Sequence, residues 1–389
     1  MPPLQANVFR ADLRLAQDTI HAAVCDTYAR KKINHWTVWL QFCTECRLDP
    51  FLANITDPVP YILVFAQRYR DGRLALSGKP VSAKCVSDVI RSVGQTFAGL
   101  GAKDPRLSAI DGKLDFRLRR QARFWGKQDP PPARVKPLPV TIVLFLVNLA
   151  YQPQGNPNLP REQSRAYADM ICLAFYYLLR PSEYSHPDAS ASVFTLDDVH
   201  CYIGQRKLDI ATASYAELTT ATSVRLHFDT QKNQRRGDVL AHARSNHRLC
   251  CPVLALTRLL WSHRCWFSRT ATPFDGTVRL ASYYHNDTRV HINASDLTGQ
   301  IRFAARNLYP TTGIDPAALT ARSCRAGGAM ALLMSRCDKN QMQLLGRWHS
   351  DCMFQYLHQE AEPVLQRLSQ RMFNDGTYSF LPTAMVPLL

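Results

Sequence analysis

The chain reads as two domains, mainly α-helical, with one small antiparallel β-sheet in the second. Three observations carry this reading. Apolar residues recur at three- and four-residue spacing through much of the chain. No alternating run appears before residue 135, and the strand-like pieces beyond it are short. Three consecutive prolines, Pro130–Pro132, form a stiff extended spacer between the two parts. With 389 residues, 46% of them apolar, the chain can bury the cores of two or three domains.

The first domain is expected to be a helical bundle over residues 1–120. Its first helix runs from about Leu15 to Arg47, where Ala22, Tyr28, Trp36, Trp39 and Phe42 share a face and Arg30, Lys31 and Lys32 lie between them. Helices follow at about Tyr61–Tyr69 and Val81–Phe97, and a fourth helical element falls within 103–120. Residues 121–137 read as a basic, proline-rich linker, continuing the cations Arg117, Arg119, Arg120, Arg123 and Lys127. Between 103 and 136, ten basic residues face four acidic ones, a balance that suits a duplex backbone or a solvated surface.

The second domain is assigned to 138–370. Helices are expected at about Val140–Leu149 and Ser164–Leu179. Strand-like pieces follow at Ser192–Phe194, Val199–Ile203, Leu208–Ile210 and Val224–Phe228. A polar turn, Gln231–Gly237, leads to a return strand at Val239–Ala241. Pro252 suits the first turn of a helix reaching about Trp261. The remainder reads as helices at about Leu297–Asn307, Pro316–Met334, Gln341–Leu345 and Asp351–His358. The tail, 371–389, is apolar and suits packing on its own domain or on a second copy.

Composition narrows the function. The formal charge is +16, and residues 1–140 hold 22 Lys/Arg against 12 Asp/Glu. A chain this basic is suited to a polyanion, because neutralised phosphates release condensed counterions. The 12 cysteines are scattered, and the start of the chain does not read as a secretory signal, so they are expected to be reduced thiols. Cys43 and Cys46 form a lone C-x-x-C without a second pair at zinc spacing, and no metal site is assigned. The apolar run Pro137–Ala150 is too short to span a bilayer. Dinucleotide, P-loop and His-Glu-x-x-His motifs are absent, and no close set of carboxylates suggests a two-metal nuclease.

Two C-terminal stretches carry the chemistry. The first, Arg322-Ser323-Cys324-Arg325-Ala326-Gly327-Gly328-Ala329, sets arginines among small residues. The second runs from Leu345-Gly346-Arg347-Trp348-His349-Ser350-Asp351 to Tyr356. A phenol attacks phosphorus only when clustered cations stabilise its phenolate and the pentavalent phosphate. Arginine's planar donors suit two non-bridging oxygens at once. Arg325 is one candidate, with small neighbours that permit close helix approach and leave room for a phosphate. Arg180 is another, with Glu183 placed to hold its guanidinium or support a neighbouring arginine. Lys232, in the polar turn, is placed to protonate a leaving 5′ oxygen, although an ordinary exposed turn lysine has the same signature. Arg235 and Arg236 beside it are suited to backbone contact or solvent.

These residues, in this order, resemble the tyrosine recombinase (phage-integrase-type) family, most closely its transposon-borne Crypton-like branch. The matching pieces are Leu179–Tyr184, Lys232, Cys251–Leu256, Ser323–Ala329, and Leu345–Asp351 with Tyr356. The resemblance implies a core-binding (SAM-like) first domain and a catalytic second domain forming a C-shaped clamp on double-stranded DNA. It implies Arg180 and Arg325 as the catalytic arginines, Lys232 as general acid, Trp348 beside the scissile phosphate and Tyr356 as nucleophile. Arg347, His349 and Glu183 would support them. The basic residues Arg30, Lys31, Lys32, Arg117, Arg119, Arg120, Arg123, Lys127, Arg235 and Arg236 would contact DNA. A 3′-phosphotyrosine intermediate, a homotetramer on two DNA sites, no cofactor and a nuclear site of action follow from the same likeness. Arg322 is counted with the catalytic residues, because a cation can neutralise phosphate charge, but it departs from the pattern, standing where the family usually has histidine. Arginine cannot accept a proton near neutral pH, so a weakened DNA-binding relative is one alternative. A type IB topoisomerase-like relaxing enzyme is the other.

Overall fold

The computed structural model describes residues 26–131, 135–185, 193–229, 237–335 and 337–348, with a few positions before 26 and Phe354. The chain divides into two compact units, Met1–Pro132 and Ala133–Leu389.

The first unit is a helical bundle of α1 (Asp26–Cys46), α2 (Val59–Arg70), α3 (Ala83–Gly99) and α4 (Phe116–Gln128). Apolar residues three, four and seven apart put one face of each helix inward. The resulting core joins Trp39 and Phe42 of α1 to Ile62 and Phe65 of α2, Val89, Val93 and Phe97 of α3, and Leu118 and Trp125 of α4. Trp39 meets Phe65 edge-on, with centroids 5.1 Å apart. Ser82 caps α3 by accepting from the Cys85 N–H, and Asp115 caps α4 by accepting from the Arg117 N–H.

The fourth helix differs from its expected place. Residues 116–128 are helical, including eight assigned to the linker, because Leu118 and Trp125 are seven apart and both enter the core. Asp129 fixes the end of this helix to the bundle. It accepts from the Ala83 N–H at 2.7 Å and pairs with Arg70 at 2.6 Å.

In the second unit α5 (Val140–Tyr151), α6 (Arg161–Tyr176) and α9 (Pro252–Arg269) pack around one large core. A four-stranded antiparallel sheet lies beside them in the order β2-β1-β3-β4. Its strands are β1 (Val199–Ile203), β2 (Arg206–Lys207), β3 (Ser223–Phe228) and β4 (Asp238–Ala243). The β3–β4 register runs from Ser223↔Ala243 to Phe228↔Asp238. Alternation turns Val224, Leu226 and Phe228 toward the core, while Arg225 faces out. Then come a hairpin of β5 (Ser282–His285) and β6 (Thr288–His291), α10 (Ala294–Asn307), α11 (Tyr309–Thr312), a 3-10 turn at Pro316–Ala318, α12 (Ser323–Met334) and α13 (Lys339–Gly346). The short helix α7 (Pro181–Tyr184) follows α6, and α8 (Tyr215–Thr220) precedes β3.

Several expected elements change. Leu208–Ile210 is not a strand; Leu208 is instead a buried anchor after the two-residue β2. The expected helix Pro316–Met334 breaks at Leu319–Arg322, where Leu319 is extended. The β5–β6 hairpin and α8 were not foreseen, since neither has more than a few residues of pattern. The helix expected at Asp351–His358 and the apolar tail lie outside the described residues. So do Lys232, Arg235, Arg236, His349 and Tyr356.

Candidate active site

The described part of the candidate site is assembled where the turn after α6 meets the start of α12 and the end of α13. Helix α6 stops at Tyr176, and Leu178 turns the chain with a left-handed backbone (φ 51°). A non-glycine residue rarely adopts that conformation, and its occurrence here is a local strain held by the surroundings. It leaves the Tyr177 and Leu178 carbonyls as acceptors for two arginines. Arg325 donates to the Leu178 oxygen through Nη1, and Arg347 donates to the oxygens of Tyr177, at 3.2 Å, and Leu178, at 3.4 Å.

Glu183 is the anionic centre. Its carboxylate accepts from Arg180 Nη1 at 2.8 Å, from the Arg180 backbone N–H at 2.8 Å, and from Arg347 Nη2 at 2.9 and 3.1 Å. Arg180 does not end an apolar helix, as the run of apolar residues before it implied. It is the N-cap of α7, and its side chain keeps 18% exposure, whereas that of Arg347 keeps 1%. Arg347 also lies over the Phe228 ring, 3.9 Å from its centroid. Burial draws the Arg347 pKa below the usual arginine value; Glu183 works against that, and the charge of Arg180 adds to it. Arg347 thus belongs to a buried ion pair whose other partner also holds Arg180.

Arg325 is buried on the first turns of α12. Its Nη2 donates to the Gly346 oxygen, and its guanidinium lies 4.7 Å from the Trp348 ring centroid. Trp348 is 5% exposed and packs with Leu178, Ala329, Met330 and Met342. Gly346 is required by this packing, since a Cβ there would stand 2.0 Å from the indole. Gly327 and Gly328 are required too. Their Cβ atoms would meet the Leu138 oxygen at 2.1 Å and the Phe175 oxygen at 2.3 Å. The small-residue run therefore does bring helices close, but main chain of the same unit fills the space it opens. Room for a ligand lies elsewhere, in a cavity of about 550 Å³ bordered by Asp238, Leu240, Gln343, Leu344, Arg347 and Trp348.

Arg322 makes none of these contacts. It is exposed at the N-cap of α12, and its side chain has no hydrogen-bond or ion-pair partner among the described residues. Of the predicted site residues, Arg180, Glu183, Arg325, Arg347 and Trp348 are thus brought together, while Arg322 is on the surface. The strands β3 and β4 flank the connection that carries Lys232 in sequence. Sequence reasoning did not identify Phe228 or the two carbonyls. An aromatic at the end of a strand and a leucine with positive φ leave no mark that distinguishes them from ordinary core residues.

The predicted DNA-contact residues of the first unit divide in two. Arg119, Arg120, Arg123 and Lys127 are exposed on α4. Arg117 is committed to Asp57, at 2.6 and 2.9 Å, and to Asp115. Arg30 and Lys31 are exposed on α1, and Lys32 is half-buried. The described cysteines are free thiols, and no group of three metal-ligating side chains occurs among the described residues. No described helix is long and apolar enough to cross a membrane.

No family model matches the chain, and no curated protein matches it. Solved structures do. The chain is similar to the Tn1549 transposon integrase in complex with circular intermediate DNA, at 14% identity and a TM-score of 0.50, over 93% of this chain and 98% of that one. XerA recombinase also aligns, at 11% identity and a TM-score of 0.35, over 87% of this chain and 98% of that one. The fold is therefore mainly helical with small antiparallel sheets, of the kind seen in tyrosine recombinases, over most of the chain. Identities this low speak for the fold alone.

Proposed function

We propose that the protein is a DNA strand-transfer enzyme of the tyrosine recombinase kind. The observation that carries this reading is the cluster of Arg180, Glu183, Arg325, Arg347 and Trp348, gathered from three separate chain segments on a recombinase fold. Arg180 is the arginine with partial exposure, and Glu183 holds it in place. In this reading Tyr356 releases its phenolic proton to solvent, its oxygen attacks a backbone phosphorus, and the bond to the 5′ oxygen breaks. Lys232 supplies the proton to that oxygen, and the arginines stabilise the charge on the non-bridging oxygens. The 3′-phosphotyrosine conserves the energy of the broken bond, so rejoining to a partner strand needs no nucleotide.

A homotetramer on two DNA sites, integration or excision of a mobile element, and a nuclear site of action complete the proposal. The Crypton-like placement rests on the motif pieces alone. A second reading, a DNA-binding relative with weakened chemistry, is favoured by one observation. Arg322, at the usual histidine position, is exposed and cannot accept a proton.

A suicide duplex carrying the protein's own site separates these readings. The strand-transfer reading expects a covalent adduct that Tyr356→Phe abolishes. Binding without adduct on a verified site supports the binding relative. Relaxation of any supercoiled plasmid without sequence preference supports a topoisomerase-like enzyme. Arg322→His is expected to raise the cleavage rate if that position limits activity.

A further inference from the structure

Phe228 joins the arginine cluster to the strand pair beside it. It is the last residue of β3 and pairs in register with Asp238, the first of β4. The Gly237 N–H donates to the Phe228 oxygen at 3.0 Å, closing the foot of the connection that carries Lys232 in sequence. The Phe228 ring is buried and turned inward. There it meets the Arg347 guanidinium, 3.9 Å from its centroid, and the Phe194 ring, edge-on with centroids 4.9 Å apart.

Arg347 is the fixed partner in this contact. Its guanidinium donates to the Tyr177 oxygen, the Leu178 oxygen and the Glu183 carboxylate. Its backbone is left-handed (φ 54°), a conformation that a non-glycine residue keeps only where its surroundings hold it. A buried cation committed to three residues cannot follow a ring that moves. The ring is therefore held by the arginine, and a desolvated contact of this kind is among the stronger cation–π pairs.

Strand order gives the contact its consequence. β4 is an edge strand, with only β3 beside it in the sheet. Toward its far end, His242 Nε2 lies 2.9 Å from the Tyr176 oxygen. At the near end Val239 is exposed and Leu240 borders the cavity of about 550 Å³. That end is tied to the unit through its pairing with β3, and β3 ends on the held ring.

We propose that Phe228 is a positioning residue for the proton donor: its ring, held by Arg347, fixes the foot of the strand pair that carries Lys232. This rests on the strand-transfer reading, in which Lys232 protonates the leaving 5′ oxygen. A general acid works only within hydrogen-bond reach, so a loosened foot slows proton transfer while the arginines stay in place.

The test uses the full-length protein and two suicide duplexes carrying its site. One has the ordinary 5′ oxygen at the scissile bond, and the other has sulfur in that place. An alkoxide needs a proton to leave, whereas a thiolate does not, since a thiol has an ordinary pKa of about 8.5. Phe228→Leu stays apolar and removes the ring. It is expected to slow cleavage of the oxygen duplex about tenfold, the worth of one desolvated cation–π contact, and to cut the sulfur duplex at the parent's rate. Phe194→Leu removes the neighbouring ring but not the contact with Arg347, and should slow neither. Equal slowing of both duplexes by Phe228→Leu overturns the proposal. So does no slowing of either, or the same oxygen-only loss in Phe194→Leu.

Hydrogen exchange reads the anchoring without activity. Phe228→Leu should speed exchange of the Gly237 amide while the α6 amides keep their rates. Arg347→Lys, which keeps a charge beside Glu183 but loses the planar face, should do the same. Unchanged exchange at Gly237 in both variants overturns the proposal. Lys232→Met separates it from the proposed function, which requires an oxygen-only loss there. If that loss is missing, or if the parent cuts neither duplex, the strand-transfer reading fails in its proton donor or entirely. Exchange at Gly237 then still decides whether Phe228 anchors the strand pair.

Discussion

Glu183 holds two arginines of different kinds, one partly exposed and one fully buried. A buried cation that loses its partner is strongly destabilising, because its desolvation is no longer offset. Glu183→Gln is therefore expected to cost about 3 kcal/mol, read from denaturant melts. Adding Arg347→Met should recover much of that loss, since an apolar side chain of similar length suits the space over Phe228; no recovery would mean that Glu183 acts through Arg180 alone. Gly327 makes a second prediction at this scale. A methyl there would stand 2.1 Å from the Leu138 oxygen, so Gly327→Ala should destabilise by about 1–3 kcal/mol. Arg180, Glu183, Arg325, Arg347 and Trp348 were legible as a set through the ordered motif pieces that carry the family resemblance, since their spacing alone does not join them. The sequence did not show which arginine is exposed. That depends on carbonyls of Tyr177 and Leu178, which every residue possesses and which only the turn after α6 aims at Arg325 and Arg347.

Helix α4 shows how an element can be misplaced while its residues are correctly chosen. Its basic residues drew attention as linker cations, but Leu118 and Trp125 make them one face of a packed helix. Arg120, Arg123 and Lys127 lie three and four apart, so they form a stripe. Changing Arg119, Arg120, Arg123 and Lys127 to glutamine should lower duplex affinity, with folding unchanged. The salt dependence should flatten by about 0.9 for each DNA phosphate that is no longer neutralised. An unaltered slope would remove this face from the DNA interface. Arg117 should behave differently, because Asp57 and Asp115 already occupy its guanidinium. The strands were legible where alternation was long enough: Val199–Ile203 was placed as observed, and Val224–Phe228 to within one residue. The two-residue β2 and the four-residue β5 and β6 were not, since so few residues cannot establish a period.

At the scale of the molecule, one buried and two partly buried histidines make stability depend on pH. His263 is fully buried between the Tyr284 hydroxyl, at 2.6 Å, and the Leu280 oxygen, at 3.1 Å, and burial lowers its pKa to about 4. His200 is also lowered to about 4, by burial, by His227 beside it and by the charges of Lys207 and Arg225. His242 is lowered by burial against the α6 end. Each is neutral when folded and takes a proton more readily when unfolded, so the unfolded chain binds more protons below the ordinary histidine value. Stability from these groups is therefore present above about pH 6.5 and is lost as pH falls toward 4. His263 alone contributes on the order of 3 kcal/mol to that loss. Melts at pH 7 and pH 4.5 should show the fall, and His200→Asn should reduce it; equal stability at the two values would show that these rings are not neutral in the fold.

The sequence by itself determined the class of fold, the helical first unit, the gathering of cations at its surface and the set of residues worth testing. These are properties of composition, of periodicity and of motif order, which are local along the chain. Tertiary structure alone decided which arginine of the cluster is partly exposed, that the Arg322 side chain is exposed, and that backbone rather than a ligand fills the space beside Gly327 and Gly328. It also set Arg347 over Phe228, two residues that no motif joins. The reason is physical. Burial, ion pairing and hydrogen-bond satisfaction are set by what packs from distant segments, and none of that is written in the spacing of neighbouring residues.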